Sequence, residues 1–296
     1  MKAEMIEIEQ KKGEPVMVTE ATGQRNIGDG QASSGHASGM KESAGQTRDG
    51  KTGSVRYALL DTIRGVTLLS MIAFHGAWDL VYIYGVDWSF YRGPYAYIWQ
   101  QSICWTFIFL SGFCANLGKK HLKRGLMVFG GGLLVTIVTL VAMPENRVVF
   151  GVLTLLGSCM LLVALTERFL QKLPAGVGLL SSAVLFFLTR NVNDGFLGFE
   201  GIRLVKLPGI LYQGLFQTYL GFPAPSFYST DYFSLIPWLF LFMAGYYTCR
   251  MVKEKGRLSK PAFLLRIEPF AFLGRHSLLI YLLHQPLLYF LFMLLF

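Results

Sequence analysis

The chain has 296 residues, 53% of them hydrophobic and only 15% charged, with a formal net charge of +9. A soluble domain carries roughly 25% charged residues, so this composition excludes an ordinary water-soluble globule. The basic residues fall in short stretches between long apolar runs, where they set membrane topology instead of building a nucleic-acid surface.

Residues 1–55 are polar, mixed in charge and rich in Gly and Ser, as in Gly28-Asp29-Gly30 and Ala32-Ser33-Ser34-Gly35. Such a segment cannot bury enough apolar surface to offset its chain entropy, so it is expected to be a disordered tail on the cytoplasmic side, with His36 inert. It also lacks the apolar core that a secretory signal needs. Residues 56–296 are expected to form one transmembrane domain of the all-α class, a polytopic helix bundle of about seven spans.

The first span, residues 57–84, is long enough to cross a hydrocarbon core of about 30 Å at ~1.5 Å per residue. It nevertheless carries Asp61, Arg64, His75 and Asp79. At about 100° per residue these four share an azimuth with Leu68 and Met71, so one polar stripe runs along an otherwise apolar helix. Arg64 and His75 lie about 16 Å apart along the axis, at ~1.5 Å per residue, which puts the arginine near one surface and the imidazole deep inside. Ionisable groups facing lipid cost at least a few kcal/mol, so the stripe is expected to line a site or passage within the bundle. The plainer alternative is an end-of-helix ion pair between Asp61 and Arg64, with His75 hydrogen-bonded to a neighbouring helix.

Further spans are expected over residues 94–116, 126–143, 148–165, 176–189, 232–250 and 270–296. The third carries Gly130-Gly131-Gly132, which permits close helix approach, and Pro144 stops it. Residues 207–222 are apolar but interrupted by Pro208 and Gly214, and read as a re-entrant or surface-lying helix, not an eighth span. With seven spans the basic clusters around Lys119–Arg124, Arg168 and Lys172, and Arg250–Arg266 share one side with Lys51 and Arg56. By the positive-inside rule the N-terminus is then cytoplasmic and the C-terminus external, in a plasma membrane. Cys104, Cys114, Cys159 and Cys249 lie in apolar spans without metal-ligand or CxxC spacing and read as buried thiols; no metal site is expected.

Leu60-Asp61-Thr62-Ile63-Arg64-Gly65 followed by Phe74-His75 resembles the opening of bacterial membrane proteins related to the catalytic domain of heparan-alpha-glucosaminide N-acetyltransferase. The Arg64 to His75 spacing is also similar to the first-helix signature of the broader membrane acyltransferases of envelope sugars. Three later stretches carry the same resemblance: Phe107 to Gly112, Asp231 to Trp238, and Leu273-Gly274-Arg275-His276-Ser277 through His284-Gln285-Pro286. The resemblance implies an acyl-CoA donor, acetyl-CoA above all, a sugar or glycan acceptor and the bilayer as partners, with homo-oligomerisation left open. Asp61, Arg64 and Arg275 would then bind the donor, since an arginine suits phosphates by charge-assisted, often bidentate bonds. His75 would act as base or nucleophile with Asp79 orienting it, and His284 is a second candidate base. Asp231 and Trp238 would lie at the acceptor's mouth, although Trp238 equally suits packing. In the lysosomal enzyme the histidine assigned to catalysis follows the first helix, whereas residues 84–97 here contain none, so its mechanism does not transfer directly.

The rival reading is a transporter or channel in which Asp61, Arg64, His75 and Asp79 relay protons or hold a solute. No inverted repeat or pair of broken helices favours it.

Overall fold

The computed structural model describes residues 46–48, 55–118 and 120–296, and the expectations about the remainder of the tail lie outside the described residues. Two three-residue strands, β1 (Gln46–Arg48) and β2 (Val55–Tyr57), pair antiparallel and lead into α1 (Ala58–Tyr82). A short α2 (Ser89–Arg92) precedes α3 (Pro94–Leu117), whose proline stands at the helix start, where a missing N–H costs nothing. Then come α4 (His121–Ala142), α5 (Val152–Leu170) and α6 (Ala175–Thr189). A hairpin of β3 (Phe196–Phe199) and β4 (Ile202–Lys206) and a seven-residue α7 (Gly214–Leu220) lead to α8 (Leu235–Glu254). The chain closes with α9 (Pro261–Leu264), α10 (Phe270–Arg275) and α11 (Ser277–Leu295).

Among the described residues six helices are long and apolar enough to cross a membrane: α1, α4, α5, α6 with the turn that follows it, α8 and α11. The 24-residue α3 has the length of a span but is more polar, carrying Gln100, Gln101, Ser102, Ser111 and Asn116. The chain is thus an all-α polytopic bundle. At ~1.5 Å per residue α7 is only about 10 Å long, and it extends the apolar segment 207–222 without spanning.

Several expected boundaries need correction; the third span, for one, starts at His121 instead of residue 126, and the fourth runs on to Leu170. The helix expected over 270–296 is two helices, broken at His276. The span expected from Tyr232 starts at Leu235, with a non-helical Ile236 before Pro237. The fourth span starts at Val152, not Val148, because Val148 and Val149 give their N–H groups to Thr139 Oγ1 and Ser229 Oγ, outside any helix.

In lipid there is no hydrophobic drive between helices, so small residues that admit close van der Waals contact decide the packing. A Cβ on Gly112 would stand 1.9 Å from the Phe242 carbonyl oxygen, and one on Gly245 2.0 Å from that of Phe109, so α3 and α8 cross backbone to backbone. Gly65 and Gly274 lock α1 to α10 in the same way, each facing a carbonyl of the other helix at 1.9 Å. The largest core, around Ile108, Leu155, Phe186 and Phe242, lies among α3, α5, α6 and α8. By contrast α4 and α11 leave most of their apolar side chains outward, as lipid-facing helices do.

Gly125 meets Leu161, Phe129 meets Gly157 and Gly132 meets Thr154, an antiparallel register that sets Val152 level with Leu134. Because α4 runs on to Ala142, it continues about 12 Å past the start of α5, at ~1.5 Å per residue. The loops before α5 and α8 fold into this recess, held by Thr230 N–H to Arg147 O and Phe233 N–H to Phe150 O. Basic residues gather at the opposite end of the bundle, where Arg250 donates to Leu170 O and Leu173 O beside Arg168 and Lys172.

Candidate functional site

The stripe on α1 faces the bundle: Asp61, Leu68, Met71 and Asp79 are buried, whereas Val66 and Leu69 on other faces are about half exposed. At its far end His75 meets His284 of α11, ring centroids 5.1 Å apart and tilted by 53°. His284 Nδ1 lies 2.6 Å from the Tyr281 carbonyl oxygen. A carbonyl only accepts, so Nδ1 carries the proton and Nε2 of the neutral ring holds the lone pair. That Nε2 is sealed from the surroundings and has no hydrogen-bond partner. His75 is different: its side chain is only partly buried, and its ring nitrogens are not among the sealed, unpartnered polar atoms of the described residues. The pair therefore consists of one reachable imidazole backed by one enclosed imidazole with a fixed tautomer.

Asp79 does not orient His75. Its carboxylate is fully buried and accepts hydrogen bonds on both oxygens from Gln285 Nε2, at 2.9 and 3.1 Å. The contact ties α1 to α11 one turn from the imidazoles, and its helix spacing beside His75 gave no hint of a partner more than two hundred positions away.

Toward the other end, Arg64 Nη1 donates to Asp61 Oδ1 at 3.2 Å and Nη2 to Cys114 Sγ at 3.0 Å. Between Arg64 and His75 the stripe is not wet. Leu68, Met71 and Ile103 are 0%, 6% and 7% exposed and close an apolar collar, with Trp99, Ile280 and Tyr281 packed against it. The expected passage is thus interrupted: the arginine and the imidazole are on one stripe, separated by a dry layer.

At the Arg64 end Glu268 receives Arg266 Nε at 2.6 Å and Arg275 Nη1 and Nη2 at 3.2 Å. The Arg266 bonds first, and those from Arg275 after them, hold the Glu268 carboxyl below its ordinary range. Two guanidinium groups against one carboxylate leave this corner net positive. Arg275 also stacks on Phe272, 5.7 Å from the ring centre.

Asp231 lies in the recess beyond the imidazoles. It does not cap its own helix, α8; its carboxylate accepts the backbone N–H of Val152, the first residue of α5, beside Gly151. Burial pushes its carboxyl up to about 6. Asp231 is within electrostatic range of Tyr281 and Cys104, and the Tyr281 ring stands 5.3 Å from that of His284, so recess and imidazole pair are neighbours. Trp238 is 4% exposed, packed against Phe186 and Phe233 with Arg190 over its ring at 5.0 Å. It forms a wall and offers no open face to a sugar. Arg190 itself reaches Gln101 Oε1 at 3.0 Å, Tyr97 OH at 3.3 Å and Glu200 Oε1 at 3.3 Å. No local sequence pattern links Arg190 to α3 and the hairpin, and it is not among the candidate site residues named from the sequence.

Asn193 donates to Gly221 O and Ser234 Oγ, which ties the end of α6 to the segment leading into α8. Among the described residues no three His, Cys, Asp or Glu side chains converge as a metal site would require.

Residues 56–286 match the family described as heparan-alpha-glucosaminide N-acetyltransferase, catalytic, a stretch that contains every site residue named above. No curated protein and no solved structure matches the chain.

Proposed function

We propose, on the premise that this chain belongs to the heparan-alpha-glucosaminide N-acetyltransferase catalytic family, that it moves an acetyl group from acetyl-CoA to a carbohydrate acceptor across the plasma membrane. The bias of Lys and Arg toward the Arg64 end supports a cytoplasmic N-terminus and an external C-terminus, so donor and acceptor arrive from opposite faces.

The residues at the Arg64 end suit a polyphosphate donor. Arg266 and Arg275 share one carboxylate, and Arg64 points its guanidinium into the bundle, where charge-assisted bonds to phosphate are strong. Acetyl-CoA supplies a thioester, an acyl carbon activated by a good leaving group. His75 takes the proton of the acceptor's N–H or O–H as that carbon is attacked, and returns it to the departing thiolate sulfur. His284 keeps an unpartnered Nε2 lone pair on a ring next to that of His75, so a small turn of either ring would let it hold a His75 N–H and fix the second nitrogen as the base. Asp231 faces the acceptor's side of the pair and holds a polar group of the sugar. The collar of Leu68, Met71 and Ile103 opens for the thin pantetheine arm and otherwise separates the two faces.

The observation that carries this reading is the reachable His75 backed by the tautomer-locked His284 on the stripe that begins at Arg64. Purified protein in nanodiscs with radiolabelled acetyl-CoA and a panel of amino and neutral sugars tests it. Label should pass to at least one sugar, and His75→Ala should stop transfer while CoA still binds. Solute flux through the protein without any CoA dependence would favour the transporter reading instead.

A further inference from the structure

The segment between α6 and α8 contains a surface that the chemistry above does not use. All five residues of β4 are exposed, although Ile202, Leu204 and Val205 are apolar; Ile210, Leu215 and Phe216 follow. These six side chains are 55–74% exposed, outside any spanning helix. A patch of this kind facing water is uncommon in proteins and marks a contact surface.

The patch is held out firmly. Asn191 Nδ2 donates to Glu200 O and Ile202 O, Leu207 N–H to Gly195 O, and Tyr212 OH to Val192 O. The apolar residues are therefore not stray tips of a loose loop. The hairpin follows α6 after a short turn at Val192–Asp194, and α6 leaves Leu180 and Val184 exposed on its outer face, so the exposed apolar residues of the hairpin come directly after those of a spanning helix.

Charge selects among occupants. Arg203 and Lys206 are interleaved with the apolar residues of β4, and among the described residues neither has an ion-pair partner. The nearby acid, Glu200, is turned inward to Arg190 and Tyr97. Apolar side chains mixed with long cations are what an interfacial element needs, because the stems lie in the acyl boundary and the heads reach phosphate.

We propose that β3, β4 and the segment through α7 form an interfacial paddle, seated in the headgroup layer on the His75 side, where Arg203 and Lys206 bind the phosphates of anionic phospholipid. This proposal is independent of the acyl-transfer reading.

Leu204→Cys labelled with a small fluorophore, with wild type labelled in parallel to subtract the native thiols, is reconstituted into phosphatidylcholine vesicles with and without phosphatidylglycerol. Lipids brominated along the acyl chain should quench the Leu204→Cys probe strongly and aqueous iodide only weakly. Iodide access without quenching by lipid overturns the paddle and assigns the face to a soluble partner or a second copy. The charge element is read from retained lipid: Arg203→Glu with Lys206→Glu should weaken phosphatidylglycerol binding on the order of ten-fold or more, leaving phosphatidylcholine unchanged. Equal retention of phosphatidylglycerol overturns the phosphate contact.

Discussion

Asp79 and Gln285 meet across the seam between α1 and α11, with one amide nitrogen donating to both carboxylate oxygens at 2.9 and 3.1 Å. The carboxylate is fully buried, and the Gln285 Oε1 atom is itself left without a partner. Gln285→Ala removes the amide donor to Asp79, and a buried acceptor left unsatisfied costs about 1–3 kcal/mol. The variant should unfold at lower temperature in a thermal-shift assay, whereas Gln285→Ala combined with Asp79→Leu should recover part of the loss. Purely additive losses would mean that the two side chains do not act as a unit.

The imidazole pair separates two roles that the sequence left open. His75 is the reachable ring, so His75→Ala should lower the transfer rate by roughly 10²–10⁴-fold, the usual contribution of a general base. In the proposed mechanism His284, bonded to Tyr281 O, acts through His75, so His284→Ala should cost less and shift the pH profile of the rate. His284→Gln keeps a side chain able to bond to its neighbour and should recover part of the rate. If His284→Ala is the more damaging change and His75→Ala turns over normally, the roles are reversed.

What was legible in the sequence was whatever repeats along one helix. The stripe from Asp61 to Asp79 showed itself because α-helical periodicity places those residues on one face, and the apolar run around it fixed the span. Contacts between helices left no such trace. Gln285 pairs with Asp79 across 206 positions, Arg190 with Gln101 across 89, and both depend on how glycines such as Gly112 and Gly65 let backbones cross. Asp231 precedes α8 in the chain, yet its carboxylate pairs with the Val152 N–H at the start of α5, a contact no local pattern shows. The break at His276 was hidden because Arg275-His276-Ser277, near one end of a mostly apolar run, also suits the interfacial end of a single helix, and composition does not distinguish one span from a short helix joined to a longer one.

The collar predicts a separation of binding from turnover. Ile103 is buried against Leu68 and Met71 between Arg64 and the imidazoles, the layer that the proposed donor would have to cross. Ile103→Trp overfills this layer at a cost of about 1–3 kcal/mol and should depress kcat several-fold while CoA binding, measured by calorimetry, holds. Ile103→Val, which costs about 0.5–1.5 kcal/mol, should leave turnover near normal. Unchanged kcat in Ile103→Trp would show that the thioester does not cross this layer.

Asp231 gives the bundle a pH-dependent element outside its spans. Burial pushes its carboxyl from 3.8 up to about 6, only partly opposed by the Val152 N–H bond. A folded-state value above the unfolded one means that the native chain binds the proton more tightly. The resulting stabilisation is fully present below the unfolded value and is lost as pH rises through about 6. Relative to Asp231→Asn, which does not titrate, the wild type should therefore lose Tm between about pH 4 and pH 7, and a difference that stays flat over this window would refute the burial of the carboxyl. The same titration bears on transfer. An ionised Asp231 holding the acceptor gives a rate that climbs as pH passes about 6, and Asp231→Asn should remove that limb while raising the acceptor's KM more than it lowers kcat.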